Sequence, residues 1–467
     1  MNKSLKMKIC LTLAVTMGSY MIFSGANIAR LSNPQAAEVS STATPPSGPP
    51  PDGQGGGQPG GGQTEVVGTA TYSQSGGTES KYNEIITASD SDVSPVIVSD
   101  SGNLTLGNST ISKTGGDTTS GDSSNFYGLN AGVVAKSAST ITLKDSKVTT
   151  NAEGANAIFS TGTGSTINVE NVEINTTQNS SRGLDATQKG TINAKNVKIT
   201  TKGAHCAALA TDRGEGTVTV SNTSGTTAGE GSPGIYSTGN ITATDSNFAA
   251  TGSEAAVIEG KNSITLTDTS ISGNSKHGVM LYQSTSGDAA VGTSTFTTTR
   301  GSITTSVGPM FYVTNTDAVV NLNNTNLKNT GDSLVLIDAE GNDNGMWGTA
   351  GANPGNLTFN TTYQTMEGNV VCDKISTVNM NLKNNTYYTG TIDTENTGTV
   401  NLTLDETSMW TVNGTSYLSA FTDSDTSLSN IKDNGNTIYY DSTNSANSWL
   451  NGQTYTLNGG GVLTPAK

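Results

Sequence analysis

An all-β fold, a right-handed parallel β-helix with three short strands per coil and a C-terminal cap, is predicted by three observations. Short runs of alternating β-branched residues recur along the chain, they recur every 23–26 residues, and Gly, Asn, Asp and Ser punctuate each run. The repeat emerges when runs are placed beneath one another: "STITLKDSKVTT" from Ser139, "STINVENVEINTT" from Ser165, "GTINAKNVKITT" from Gly190, "GTVTVSNTSGTT" from Gly216, "GNITATDSNFAAT" from Gly239 and "NSITLTDTSISGN" from Asn262. Their first apolar positions are Ile141, Ile167, Ile192, Val218, Ile241 and Ile264, spaced 26, 25, 26, 23 and 23 residues apart.

The first strand of each coil follows from alternation, which sends residues i and i+2 to one face. Ile141 with Leu143, Ile167 with Val169, and Ile264 with Leu266 therefore point inward and stack on their counterparts in the next coil. The second strand follows an Asx or Ser turn and carries Val148, Ile174, Ile199 or Ile271. The third is a further apolar stretch: "GANAIFST" from Gly154, "RGLDAT" from Arg182, "HCAALAT" from His205, "PGIYST" from Pro233, "EAAVIEG" from Glu254 and "HGVMLYQ" from His277. One coil cannot bury such a stripe alone, but stacked coils make a continuous core whose strand amides pair between coils. A leucine-rich repeat is excluded, since recurrent leucines and a helical or tight-turn return leg are both missing.

Four segments are expected along the chain. Lys3, Lys6 and Lys8 precede an apolar stretch from Ile9 to Phe23 and a small-residue site ending at Ala26, so 1–26 reads as a secretory signal, with Ala37 as the alternative cleavage point. The apolar run is too short to span a bilayer as a helix, which leaves the mature chain without a transmembrane segment. Cys10 has no lipobox leading into it. Residues 27–63, with the run "PPSGPPPDGQGGGQPGGGQ", form a Pro/Gly-rich linker that cannot build a core. The β-helix is assigned to 64–412, with interruptions after Gln283 and from Gly341. A β cap is assigned to 413–467, where Trp449, Tyr455 and Leu457 are available to cover the last coil.

The formal charge is −15, and loss of Lys3, Lys6, Lys8 and Arg30 with a leader moves it to −19. With so few cations, nucleic acid and anionic lipid are excluded as partners. Cys206 and Cys372 stand 166 positions apart, several layers in a stack, so two buried thiols are expected rather than a disulfide.

These segments resemble the pectin-lyase-like group of right-handed parallel β-helix proteins and, more narrowly, a family of exported bacterial β-helix proteins described as adhesin-like. The narrower resemblance lies in "GLNAGVVA" at Gly128, "GAHCAALATDRGEGTVTV" at Gly203, "SPGIYSTGNITAT" at Ser232, "GSEAAVIEGKNSITLTD" at Gly252, "GPMFYVTNTDAVV" at Gly308, "WGTAGANPGNLTF" at Trp347 and the final "SANSWLNGQTYTLNGGGVLTPAK". It implies the fold and a surface location, and it carries no catalytic residues. A polygalacturonase-like site needs Asn-Thr-Asp, Asp-Asp, Gly-His-Gly and Arg-x-Lys in that order. Asn315-Thr316-Asp317 lies after Lys276-His277-Gly278, and neither remaining element follows, so no catalytic residue is assigned.

Candidate binding chemistry gathers at the third-strand edge. Asp185, His205, Asp212, Arg213, Glu254, Glu259, Lys261, His277 and Tyr282 fall there, and coils about 4.8 Å apart would align them in one mixed-charge ridge. Arg182, Lys189 and Glu215 lie close by, and Tyr236, Tyr282 and Tyr312 would stack on sugars if they face outward. The plainer alternative is a set of solvated turn residues. Zinc is not supported, for want of a Cys/His cluster; no cofactor is expected beyond calcium that Asp-rich turns could collect. Thr140, Thr142, Thr166, Asn168, Thr191 and Asn193 open a flat Thr/Asn face resembling the ice-binding faces of some β-solenoids, although Thr is also simply a good exposed strand residue.

The expected protein is therefore secreted or held at the cell surface, adhesin-like, and presents polar faces to extracellular glycans, cells or matrix without catalysis. The alternatives are a polysaccharide lyase or hydrolase working on the ridge, and a structural surface-layer or filament component. No sorting signal, C-terminal apolar helix or autotransporter barrel is recognisable, so release or retention by partners is expected.

Overall fold

A computed structural model describes residues 66–332 and 334–466. The expected signal and nearly all of the linker lie outside the described residues. Strands follow one another from Thr69–Ser75 to Val462–Pro465, and the register between coils is parallel throughout, except where Tyr455–Thr456 runs antiparallel to the final strand. The first wall stacks runs such as Thr140–Lys144 and Thr217–Ser221, the second stacks Lys147–Thr150 and Ser224–Thr227, and the third is a 12-stranded sheet from Thr69–Ser75 to Asn369–Cys372.

The aligned residues stack as expected. Ile141 pairs with Ile167, Ile167 with Ile192, Ile192 with Val218, Val218 with Ile241, and Ile241 with Ile264. All are buried in one continuous core with Val148, Ile174, Ile199 and Ile271 of the second wall. Full burial of such a side chain stabilises by about 1.5–3 kcal/mol, and the columns repeat this at every winding.

One residue makes the corner between first and second walls. Asp145, Asn171, Asn196, Asn222, Asp245 and Asp268 all have φ between +49° and +57°, a left-handed conformation that Asn and Asp adopt more readily than other side chains. This explains the recurring Asx before each second strand. Their side chains also bond along the stack: the Asn171 amide donates to Asp145 Oδ1 (2.8 Å), Asn196 to Asn171 (2.9 Å) and Asn222 to Asn196 (2.5 Å).

The ends differ. In the first coil, positions in register with the inward Val96, Val98, Leu104 and Leu106 are Tyr72, Gln74, Glu79 and Lys81. Polar groups thus close the open end of the core. Lys113 is buried in the second-wall column, with its ammonium donating to the carbonyls of Asp90 and Val93 (2.9 Å to the latter). At the other end parallel pairing runs past residue 412, through Ala420–Asp423 and Thr437–Tyr440, so the cap begins later than the expected 413. The reason is that Phe421, Ile431 and Ile438 still supply the inward column. Trp449 and Tyr455 pack over it with Leu457, and the Trp449 indole donates to the Phe421 carbonyl (2.8 Å). Cys206 and Cys372 are buried thiols. Among the described residues no helix is long and apolar enough to cross a membrane.

Candidate functional site

Between its two end strands, the third wall differs from the other two in being buried on both faces. Its inward residues join the core, while its outward column runs Ile97, Val134, Phe159, Asp185, Ala210, Tyr236, Val257, Met280, Tyr312 and Asp338 in continuous register. Every one of these is buried. The cover comes from three lengthened connections: one carrying the short helix Gly121–Tyr127, one after Tyr282, and one after Ala339. The helix is capped by the Ser120 hydroxyl at its start and by Gly128, φ +74°, at its end.

Burial corrects the expected ridge, which is not one solvent-facing array. Arg182, Asp185 and Asp212 form an inner ion cluster, Nε of Arg182 lying 3.0 Å from Asp212 and 3.9 Å from Asp185, and the guanidinium also donates to Asn125 of the covering helix (2.9 Å). The hydroxyls of Thr161 and Thr187 donate to the Phe126 carbonyl. These contacts tie the helix down. A buried charge persists only when paired in this way.

Glu259 is also covered. It accepts from Tyr236 (2.8 Å) and Tyr282 (2.9 Å) on one carboxylate oxygen, and from Ser284 and Ser286 (3.4 Å) on the other. Burial pushes its carboxyl up, against the pull of those hydroxyls. The outward tyrosines are therefore not platforms for sugars: Tyr236 and Tyr282 hold Glu259, Tyr282 also meets the Trp347 ring at 5.3 Å, and Tyr312 stacks on His277 at 4.4 Å. His277 is buried, which lowers its pKa to about 4 and keeps it neutral at physiological pH. Glu254 is buried as well, 3.9 Å from the Lys276 ammonium.

The rest of the expected set stays accessible. Arg213 is held with its guanidinium 3.8 Å from the Phe126 ring and bonded to Asp288 through Nε (2.8 Å) and Nη2 (2.5 Å). Lys261 reaches Glu215 at 2.7 Å. His205 is half-buried in a left-handed turn, φ +55°, away from both pairs in sequence. Between the turns that follow the third-wall strands and the connection after Tyr282 lies an open cleft of about 560 Å³, lined by Thr163, Gln188, Lys189, Arg213, Glu215 and Asp288 among others. Sequence reasoning missed Asp288 and Phe126, because both sit in lengthened connections that carry no repeat signal. The only hint was that "STSGDAAVG" prolongs its coil.

A second acidic group was also not foreseen. Asp338 and Glu340 face outward from the third wall near Asp373. Burial first, then the neighbouring carboxylates, holds both well above the carboxylate range. Among the described residues no three His, Cys, Asp or Glu side chains converge as a metal-holding group.

Three walls, parallel register and a recurring left-handed Asx corner between the first and second walls define a right-handed parallel β-helix. In agreement, a family model described as a right handed beta helix region matches residues 131–299. No curated protein matches the chain.

Proposed function

We propose that this chain is a secreted or cell-surface, adhesin-like β-helix protein that binds extracellular glycans in the cleft beside Arg213. The observation that carries this reading is the cleft's charge. Lys189 and Arg213 line the cleft against Glu215 and Asp288; Arg213 pairs with Asp288, and Lys261, from outside the lining, pairs with Glu215, which leaves Lys189 as the cation not neutralised, on a chain whose formal total is −15. Lys189 is in no ion pair among the described residues, and Arg213 is fixed by a ring and a carboxylate before any ligand arrives. Fixed donors lower the ordering cost of binding and favour a carboxylated or sulfated sugar. The test is titration with a polygalacturonate hexamer and a sulfated hexasaccharide. Binding weakened about tenfold or more in the Lys189→Ala, Arg213→Ala double variant is expected, and no binding of either probe by the unaltered chain overturns the reading.

A polysaccharide-active enzyme is the second reading. It is favoured by one observation, that Asp338 and Glu340 lie beside Asp373 with pKa values raised toward general-acid use. New reducing ends or unsaturated products from a polyuronate panel, lost in Glu340→Gln, would support it.

A further inference from the structure

On a different wall, the first-wall strand Thr78–Tyr82 ends in a tyrosine that the core does not use. Tyr82 is 60% exposed, the largest exposure of any tyrosine among the described residues. Its register partner in the next coil is Gly107, and the partner beyond that is Lys144. Gly107 leaves one rung of the outward column without a side chain, and the Tyr82 ring folds into that gap. A Cβ placed on Gly107 would lie 2.6 Å from ring carbon Cδ1 and 2.8 Å from Cε1. The ring is thus laid against backbone on one side while most of the residue faces solvent.

A cleft of about 390 Å³ surrounds it, lined by Tyr82, Thr105, Gly107, Asn108, Thr142, Lys144 and Asp145. Thr105 and Thr142 are successive rungs of the Thr/Asn ladder, so their hydroxyls sit roughly one strand spacing, ~4.8 Å, apart. The rim is held in place. Asn108 donates to Asn83 (2.5 Å), Asp145 accepts from Asn171 (2.8 Å) and Lys144 pairs with Glu170 (3.0 Å). Lys144 and Asp145 cancel in charge, so the lining carries no net sign. An anchored aromatic ring beside hydroxyl, amide and carboxylate groups matches the two-sided chemistry of a pyranose, whose C–H face is apolar and whose edge is hydroxylated.

We infer that the Tyr82 cleft is a subsite for an uncharged hexose unit of a glycan. The sugar's C–H face lies on the Tyr82 ring, and its hydroxyls bond to Thr105, Thr142, Asn108 and Asp145. The exposed ring distinguishes this cleft from the Arg213 cleft, whose lining has no aromatic side chain. The inference rests on the reading of the chain as a glycan binder but uses none of the residues of that other cleft.

The full chain is titrated with cellohexaose, mannohexaose and galactohexaose, and separately with the polygalacturonate hexamer. At least one neutral hexaose is expected to bind. Tyr82→Ala and Gly107→Val should weaken that binding about tenfold, Tyr82→Phe should retain it, and Arg213→Ala should leave it unchanged. Tyr82 is exposed, so its variants keep the core intact. Binding of no neutral hexaose, or unchanged affinity in Tyr82→Ala, overturns the subsite. Retention of the polygalacturonate hexamer in the same titrations separates that failure from failure of the Arg213 cleft.

Discussion

Removing the Glu259 carboxylate should loosen one wall of the Arg213 cleft without unwinding the β-helix. Three of its partners, Tyr236, Tyr282 and Ser284, bond at normal or short range, and only the serines belong to the connection that covers the wall. Each lost bond is worth about 1 kcal/mol net, so Glu259→Ala should cost roughly 3 kcal/mol in all, of which the serine bonds, about 1–2 kcal/mol, are felt as easier opening of residues 283–293. That share corresponds to about a five- to thirtyfold greater open population. Hydrogen exchange read by mass spectrometry resolves this locally. Protection should collapse in the 283–293 peptide while the third-wall strand Ile158–Thr161 keeps its protection, and affinity for an acidic glycan should fall because Asp288 no longer fixes Arg213. Glu259→Gln, which keeps the volume and one acceptor, should lie between. If the alanine variant exchanges at 283–293 as slowly as the unaltered chain, the carboxylate is not the latch described above.

Three further outcomes are expected. Ile192→Ala empties one rung between Ile167 and Val218 and should cost about 2–5 kcal/mol in urea denaturation; a loss under 1 kcal/mol would mean the columns do not carry the stack. His277 has a folded pKa of about 4 against 6.5 unfolded, so the unfolded chain binds the proton first. Stability from this group is complete above pH 6.5 and is lost as pH falls through 4, by about 3 kcal/mol at full protonation, and His277→Phe should flatten that part of the stability profile. For Asp338 the sign reverses: its raised folded pKa makes the native state hold a proton the unfolded chain has released, so stability falls as pH rises above about 4. Asp338→Asn should then be more stable than the parent at pH 9 by on the order of 1–3 kcal/mol, and equal stability there would place the carboxyl in a wetter setting than its burial indicates.

The walls were legible because their cause is periodic. Ile141, Ile167 and Ile192 repeat at near-constant spacing, and Asp145, Asn171 and Asn196 repeat with them because each corner needs a left-handed residue. The site was only half legible. Asp185, Asp212 and Glu259 were picked out as charges in a polar chain, but their burial depends on helix Gly121–Tyr127 and on the connection after Tyr282. Those segments interrupt the repeat, and their resting place cannot be read from a period they break. Lys113 and Gln74 show the same limit, since at repeat positions they look like errors in the pattern and only become end-closures once the first coil is seen.

The uniform register has a consequence for how such a molecule changes length. Thr140, Thr166 and Thr191 occupy equivalent places, as do Ile141, Ile167 and Ile192. Cutting out residues 166–190 would bring Thr191 onto Thr140 with like residues meeting like. A winding is therefore a unit that can be dropped or copied without reworking the remainder, and reach becomes a quantity adjustable in steps of one rung.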